Sequence, residues 1–390
     1  MKTLIVCKGG SVFYTRDLVI ERGEQGETEG VIRRLIDRGD CNVVFYGQYR
    51  GEVIPGLTVV QSTIEGLDNW SLESEQREAY AKDHEELSKH DPIAMINVTG
   101  QAPTSSLGWN PMGAACLAFA IRYNAPMLQA LHELQLPRIV LSNDPRSYPR
   151  DQEMTWYSDY CRPAAMLDQC EASFNKVVGG QEYAVHSKFA NCQSWAYQYE
   201  RENTNQYPAV IVAHAHFNTG IKMGKPERWY ELLDNLPEGT EIFGEGWDSY
   251  DGPQENLPWC GKLKPAEVFK QFQMHVCGPV VPHTKGFLTG KPYIMISQGC
   301  IPLFHPEYDE GCELLPKDHW CRMKTPAEFK EKAEILWKDV EFREQMRESV
   351  KLHLVPKWEI FDDMIDKLLV DPDKFQKDMY WDEFGGYKRK

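Results

Sequence analysis

The sequence predicts an α/β protein made of two doubly wound domains in succession, and three observations lead there. The chain has 390 residues, too many for one ordinary core. Short apolar runs without helical period alternate with amphipathic, helix-period stretches, the pattern of a parallel sheet wound with helices. The alternation then starts afresh in the second half, beginning with the run at Ala209–Ala213. Two such domains facing a central cleft, with their loops at the carboxyl ends of the strands, are the plan expected of a ligand site between domains.

Taken in order, Thr3–Cys7 reads as a buried strand ending in Lys8-Gly9-Gly10-Ser11, where glycine lets the backbone turn sharply or approach a ligand. Glu27–Arg38 is a helix with Val31, Ile32 and Leu35 on one face, and Asn42–Tyr46 is the next strand. Pro55–Gln61 reads as a third strand and Ser71–His90 as a charged helix on the surface. Ile93–Val98 is a strand followed by the polar loop Thr99–Asn110 and a helix at Ala114–Tyr123. Arg138–Leu141 is a strand running into Ser142-Asn143-Asp144-Pro145-Arg146. In the second half, Ala209–Ala213, Thr240–Phe243 and Trp259–Leu263 are strands, and Lys225–Asn235 and Pro265–Met274 are helices. Thr325–His353 reads as one helix with Leu336, Phe342 and Met346 toward the core. The break at Val355-Pro356-Lys357 precedes an amphipathic helix, Trp358–Leu369, expected to cross back to the first domain. The domain bounds are then 1–200 with 355–375 crossing back, 201–354, and a polar tail over 376–390.

The stretch Gly278–Phe304 carries the most chemistry: strand Val276–Val281, a loop rich in Gly, Thr and Lys, an apolar helical run Pro292–Ser297, and strand Ile301–Phe304. A helix beginning after such a loop aims free backbone N–H groups at it, which suits a phosphate or diphosphate. His283, Thr284, Lys285 and Lys291 add donors. It is not a P-loop, since Gly286-x-x-x-Gly290-Lys291-Pro292 is one residue short and has proline where Ser/Thr would hold magnesium. A plain strand–helix–strand connection is the alternative.

Composition excludes several classes. No apolar run approaches the ~20 residues needed to span a bilayer, and the N-terminal patch reaches Lys8 too soon for a signal peptide. Eleven cysteines without a C-x-x-C pair are expected to be reduced thiols in a cytoplasmic protein. The net charge of −15 argues against a general polyanion binder while leaving room for a locally basic cleft. His214-x-His216 would share one strand face, but no third ligand is visible and no metal site is expected. With no G-x-G-x-x-G fingerprint, sugar-nucleotide transfer, phosphorolysis or epimerisation are the chemistries left to such a cleft.

One series of residues is similar to a known family. The order Val210-Ile211…Phe217-Asn218-Thr219-Gly220-Ile221-Lys222…Ile242-Phe243-Gly244…Gly261-Lys262…Phe287-Leu288-Thr289-Gly290-Lys291 resembles the donor half of the phage DNA β-glucosyltransferases. The first half is ordered alike, with Glu27-Thr28 opening a helix, Asn97 after a strand and Asn143-Asp144-Pro145-Arg146 after another, and Trp358 has a counterpart in the last helix. The resemblance implies the GT-B fold of two Rossmann-like domains. It also implies transfer of glucose from UDP-glucose to 5-hydroxymethylcytosine in double-stranded DNA, in the host cytoplasm, by a monomer for which magnesium is not required by any visible motif.

Residue by residue, the resemblance makes Asp144 the general base of an inverting transfer and puts Glu27 near the sugar; as sequence alone, Asn-Asp-Pro is also a strong turn signal. It sets Asn218, Lys222 and Lys291 at the donor diphosphate and matches Asn97 and Arg146. With the loop residues, the donor set is then expected to be Gly10, Asn218, Lys222, His283, Thr284, Lys285 and Lys291, and the acceptor set Asn97, Arg146 and Arg150. Departures are visible. Asn218, Lys222 and Lys291 stand where the family has arginines, and Ile294 stands where a glutamate holds the ribose. A saccharide, lipid or protein acceptor, a sugar-nucleotide epimerase, or a non-enzymatic nucleotide- or DNA-binding GT-B protein are the alternatives.

Overall fold

The computed structural model describes residues 1–14, 26–61, 73–99, 136, 138–142, 165–168, 176–178, 181–183, 200–213, 227–247, 257–263, 265–282, 288–312, 314–355 and 358–378. They fall into two compact units, one made of the N-terminal half together with the C-terminal helices, the other of the intervening chain up to residue 356.

In the first unit, strands β1 (Lys2–Tyr14), β2 (Cys41–Arg50), β3 (Leu57–Gln61), β4 (Pro92–Thr99), β5 (Arg138–Ser142) and β6 (Ala165–Asp168) form a parallel sheet of order β3-β2-β1-β4-β5-β6. This is the Rossmann order, with its topological switch between β1 and β4. Leu4, Ile5, Val6 and Cys7 are fully buried, so this strand reads as an unbroken apolar run because both of its faces are covered. Helix α1 (Gly26–Arg38) buries Val31, Ile32 and Leu35. Helix α2 (Glu73–Ser88) does more than lie on the surface: Leu87 and Asp83 are buried, and the Tyr46 hydroxyl donates to Asp83 at 2.7 Å. The short strands β7 (Lys176–Val178) and β8 (Gln181–Tyr183) pair antiparallel by themselves. Against expectation, the first strand does not stop at Cys7. It continues to Tyr14, and its register with β2 shifts between Cys7 and Val12, so Gly9 and Gly10 fall in an irregularity rather than a turn.

In the second unit, β9 (Tyr207–Val212), β10 (Glu241–Phe243), β11 (Trp259–Gly261), β12 (His275–Val280) and β13 (Ile301–Phe304) form a parallel sheet of order β11-β10-β9-β12-β13. It repeats the first sheet's order one strand short. Helices α3 (Glu227–Leu233), α4 (Pro265–Met274), α5 (Lys291–Ser297), α6 (Glu328–Lys338) and α7 (Val340–His353) complete it. The single helix expected over Thr325–His353 is two, because Asp339 is extended (φ −103°, ψ 97°) and its carboxylate accepts the Phe342 N–H at 2.9 Å. That is an N-cap, and it starts a new helix. The rotation it introduces turns Arg343, Arg347 and Val350 inward and leaves Phe342 and Met346 only half-buried.

Helices α8 (Glu359–Val370) and α9 (Pro372–Asp378) return to the first unit, as the break before Trp358 predicts. Phe361, Met364, Ile365 and Leu368 supply the buried face, and Phe375 extends it. Charge fixes the placement. Arg34 Nε donates to Asp362 at 3.0 Å, Arg38 Nη1 reaches Asp362 at 3.2 Å and Nη2 pairs with Asp366, and Lys2 Nζ donates to the Leu369 carbonyl at 2.5 Å. The Arg38 side chain is only 10% exposed and serves three carboxylates, Asp40 among them. Arg38→Ala leaves those carboxylates facing one another and is expected to cost about 1–2 kcal/mol. Urea unfolding checks this, and the deficit should shrink in high salt, since screening weakens both the lost attraction and the new repulsion.

Candidate functional site

In an open parallel sheet the ligand crevice lies beyond the carboxyl ends of the strands, where the strand order reverses. In the second unit that point is the β9/β12 pair. β9 and β10 both end here, β10 running into Gly244-Glu245-Gly246-Trp247. β12 ends at Val280 and the chain continues through Val281 and Pro282, and α5 starts at Lys291.

The last carbonyls of β9 are met by side-chain donors. Lys291 Nζ donates to the Val212 oxygen at 2.6 Å, and Trp247 Nε1 donates to the Ala213 oxygen at 2.8 Å. Ala213 N–H bonds the Phe243 oxygen at 3.0 Å, Gly244 N–H bonds the Gly261 oxygen at 2.9 Å, and Trp259 Nε1 donates to the Gly244 oxygen at 3.1 Å. Gly244 has φ +138°, and a Cβ there would sit 1.7 Å from the Ala213 oxygen. Only glycine lets β9 and β10 come this close at their ends.

Lys291 is the sequence-predicted donor residue whose side chain the structure describes. Burial pushes its ammonium down to about 8, with Cys300 acting the other way. The sign follows from linkage. The folded-state value lies below the unfolded one, near 10.5, so the unfolded chain holds more protons between pH 8 and 10.5, and this group makes stability rise with pH across that window. Below pH 8 the half-buried cation, held by the Val212 oxygen alone among the described contacts, lowers stability. Lys291→Met should therefore be the more stable protein at pH 7, with the difference fading toward pH 10.5, as unfolding curves of both proteins at several pH values would show.

The start of α5 is less generous than the sequence suggests. The helix has seven residues, Pro292 in its first turn has no N–H, and the Tyr293 and Ile294 N–H groups both bond the Gly290 oxygen. The polarity here comes from a lysine side chain rather than from a row of free amides. Neighbouring groups were not legible in the sequence. The Tyr308 hydroxyl accepts from Thr289 N–H at 3.0 Å and donates to the Thr289 oxygen at 3.1 Å. Buried Arg228 donates through Nε to Glu307 at 2.6 Å and through Nη1 to the Pro282 oxygen at 3.3 Å. His305 accepts the Glu307 N–H on Nδ1 at 3.1 Å, and burial lowers its imidazole to about 4, which keeps it neutral. The one local signal for this end of the sheet was Gly244-x-Gly246 directly after a strand.

In the first unit, Gly10 lies in the β1 irregularity and Asn97 in neighbouring β4, where its backbone pairs with Cys7 on one side and Val140 on the other. Glu27 lies in the first turn of α1. Asp144, Arg146, Arg150, His214, His216, Asn218, Lys222, His283, Thr284 and Lys285 lie outside the described residues. Among the described residues no group of three His, Cys, Asp or Glu side chains is arranged to hold a metal, and no helix is long and apolar enough to cross a membrane.

No protein-family model matches the chain, and no curated protein sequence matches it. Solved structures do. Anabaena HepE in complex with UDP and glucose is 9% identical with a TM-score of 0.50, the match covering 94% of this chain and 99% of that one. Sucrose-phosphate synthase from Thermosynechococcus elongatus is 11% identical with a TM-score of 0.42, covering 97% of this chain and all (100%) of that one. A structure described as trehalose-6-phosphate from E. coli bound with UDP-2-fluoro glucose is 10% identical with a TM-score of 0.42, over 96% and 97% of the two chains. Two parallel Rossmann-type sheets in succession, C-terminal helices returned to the first unit, and the likeness to HepE over nearly the whole chain together give this protein the GT-B fold.

Proposed function

We propose that the protein is a glycosyltransferase that takes a sugar, with UDP-glucose the donor of choice, and passes it to the hydroxymethyl group of a modified base in double-stranded DNA. The observation that carries the donor half is Lys291, a desolvated cation at the switch point of the second sheet, where an open α/β sheet meets its ligand. HepE, which shares the fold, is complexed with UDP and glucose. The DNA acceptor rests on the resemblance of Asn143-Asp144-Pro145-Arg146 and the donor-half residues to the phage enzymes.

In this reading Lys291, joined by Lys222 and Lys285, meets the diphosphate, with Gly10, Asn218, His283 and Thr284 completing the donor site. The acceptor oxygen attacks the anomeric carbon from the face opposite the nucleotide. As the C1–O bond to phosphate breaks, the electron pair leaves with the nucleoside diphosphate, and the lysines stabilise its growing charge. Asp144 takes the hydroxymethyl proton, Glu27 stands near the sugar, and Asn97, Arg146 and Arg150 hold the acceptor strand. No step needs a metal-binding motif. In this reading the protein acts as a monomer.

Two measurements test the proposal. Lys291→Ala should weaken donor binding by about 1–3 kcal/mol in calorimetry, the range of a charge-assisted bond to phosphate. Purified protein offered a panel of nucleotide sugars and hydroxymethyl-base DNA should yield glycosylated nucleosides detectable by mass spectrometry. Donor hydrolysis with no modified nucleoside would move the acceptor elsewhere, and absence of donor binding would end the proposal.

A further inference from the structure

After β12 the chain passes Pro282, and it reaches α5 through Thr289; both points are tied to one short turn. That turn, His305–Tyr308, follows β13 and closes on itself through a Tyr308 N–H to His305 oxygen bond of 2.8 Å. It is anchored to the sheet where His305 N–H meets the Val280 oxygen at 3.0 Å. From it, Glu307 holds Arg228, whose guanidinium donates to the Pro282 oxygen. Tyr308 holds Thr289 by both its N–H and its carbonyl, a single hydroxyl standing in for the two partners a strand would offer.

These contacts are built to be rigid. Tyr308 is fully buried, and its ring stands edge-on to Phe304 with centroids 4.9 Å apart. Burial raises its phenol well above the ordinary tyrosine range, so the hydroxyl remains a donor wherever the protein is folded. The Arg228 side chain is only 7% exposed. Lys291 is two residues beyond Thr289 and places its ammonium on the Val212 oxygen. The reach of a lysine is set by where its backbone starts, so a shift at Thr289 moves the ammonium relative to β9.

We infer that Tyr308, supported by Glu307 and Arg228, is the positioning group of the donor site: it fixes Thr289 to Lys291 against the carboxyl ends of β9 and β12 so that the lysine meets the donor's phosphates. This rests on the donor reading given above, and it assigns to these residues a role exerted through Lys291. The hydroxyl can be removed while the packed ring stays, which separates positioning from core packing.

The test is calorimetric titration of UDP-glucose into the wild-type protein and Tyr308→Phe from pH 7 to 10. In the wild type, affinity should fall as Lys291 loses its proton, with a midpoint near 8. In Tyr308→Phe, affinity at pH 7 should drop about 5- to 50-fold, as when buried bonded groups lose their partner. The midpoint should also move up toward the ordinary lysine range, because a displaced ammonium regains water. Loss of packing alone leaves that midpoint where it was. Unchanged affinity and midpoint in a folded Tyr308→Phe overturn the inference and leave the donor reading standing, whereas a wild-type protein that does not bind UDP-glucose overturns both. Should Tyr308→Phe not fold, Glu307→Gln carries the test: it loosens Arg228 from the turn and should weaken UDP-glucose binding about 3- to 10-fold. Wild-type affinity in that variant overturns the inference.

Discussion

Gly244→Ala is expected to abolish the folded second unit or leave it severely unstable. The added methyl carbon falls 1.7 Å from the Ala213 oxygen and 2.6 Å from its carbonyl carbon, both backbone atoms that cannot swing aside. To make room, β9 and β10 must part at their carboxyl ends. That breaks the Ala213–Phe243 bond, and the Trp247 and Trp259 indoles, which close on Ala213 and Gly244, lose their partners. Gly244 also has φ +138°, a backbone angle that alanine rarely adopts. Steric overlap, lost bonds and strain together should exceed about 4 kcal/mol, at the far end of single-substitution effects. Gly261→Ala is the control, on the adjacent strand. Its φ is +110°, but a Cβ there meets nothing within 4 Å, so it isolates strain at about 1–3 kcal/mol. Urea unfolding followed by tryptophan fluorescence should separate the two variants clearly. Equal stabilities would mean that the close approach of β9 and β10 is not what requires glycine.

Asp144→Asn should leave a folded protein that binds donor normally and turns over about 10²–10⁴-fold more slowly. In the sequence, Asp144 comes two positions after Ser142, the last residue of β5. Asparagine keeps the size and most of the turn chemistry and removes the basic oxygen. An arginine placed beside a carboxylate keeps it ionised at neutral pH, and Arg146 and Arg150, two and six positions on in the sequence, are the residues expected to do so. Single-turnover kinetics with saturating donor separates the chemical step from binding. Near-normal turnover in folded Asp144→Asn would pass the role to Glu27, the other carboxylate assigned to the reaction.

The parallel sheets were legible because burial on both faces writes each central strand as a continuous apolar run. Leu4 to Cys7 and Val276 to Val281 have no period to confuse with a helix. The return of α8 was legible from a proline break followed by an amphipathic stretch. The split of the long helix was not, since Asp339 reads as one more surface residue until its carboxylate is seen on the Phe342 amide. Nor was the continuation of β1 past Gly9 and Gly10, because glycine permits a turn and a bulge equally.

For the site, sequence by itself determined the residue types. It marked Lys291 after a glycine-rich loop and set Gly244 at the end of a strand. The tertiary structure alone decided what those residues meet. Lys291 faces the carbonyl end of β9, 79 positions away in the chain, and Thr289 is held by a tyrosine 19 positions on. The reason is physical. Apolar periodicity is a local property that every buried face must display, whereas a hydrogen bond between distant residues leaves no periodic trace. Any lysine, tyrosine or arginine has the donors, and only the order of strands in the sheet brings them to one edge.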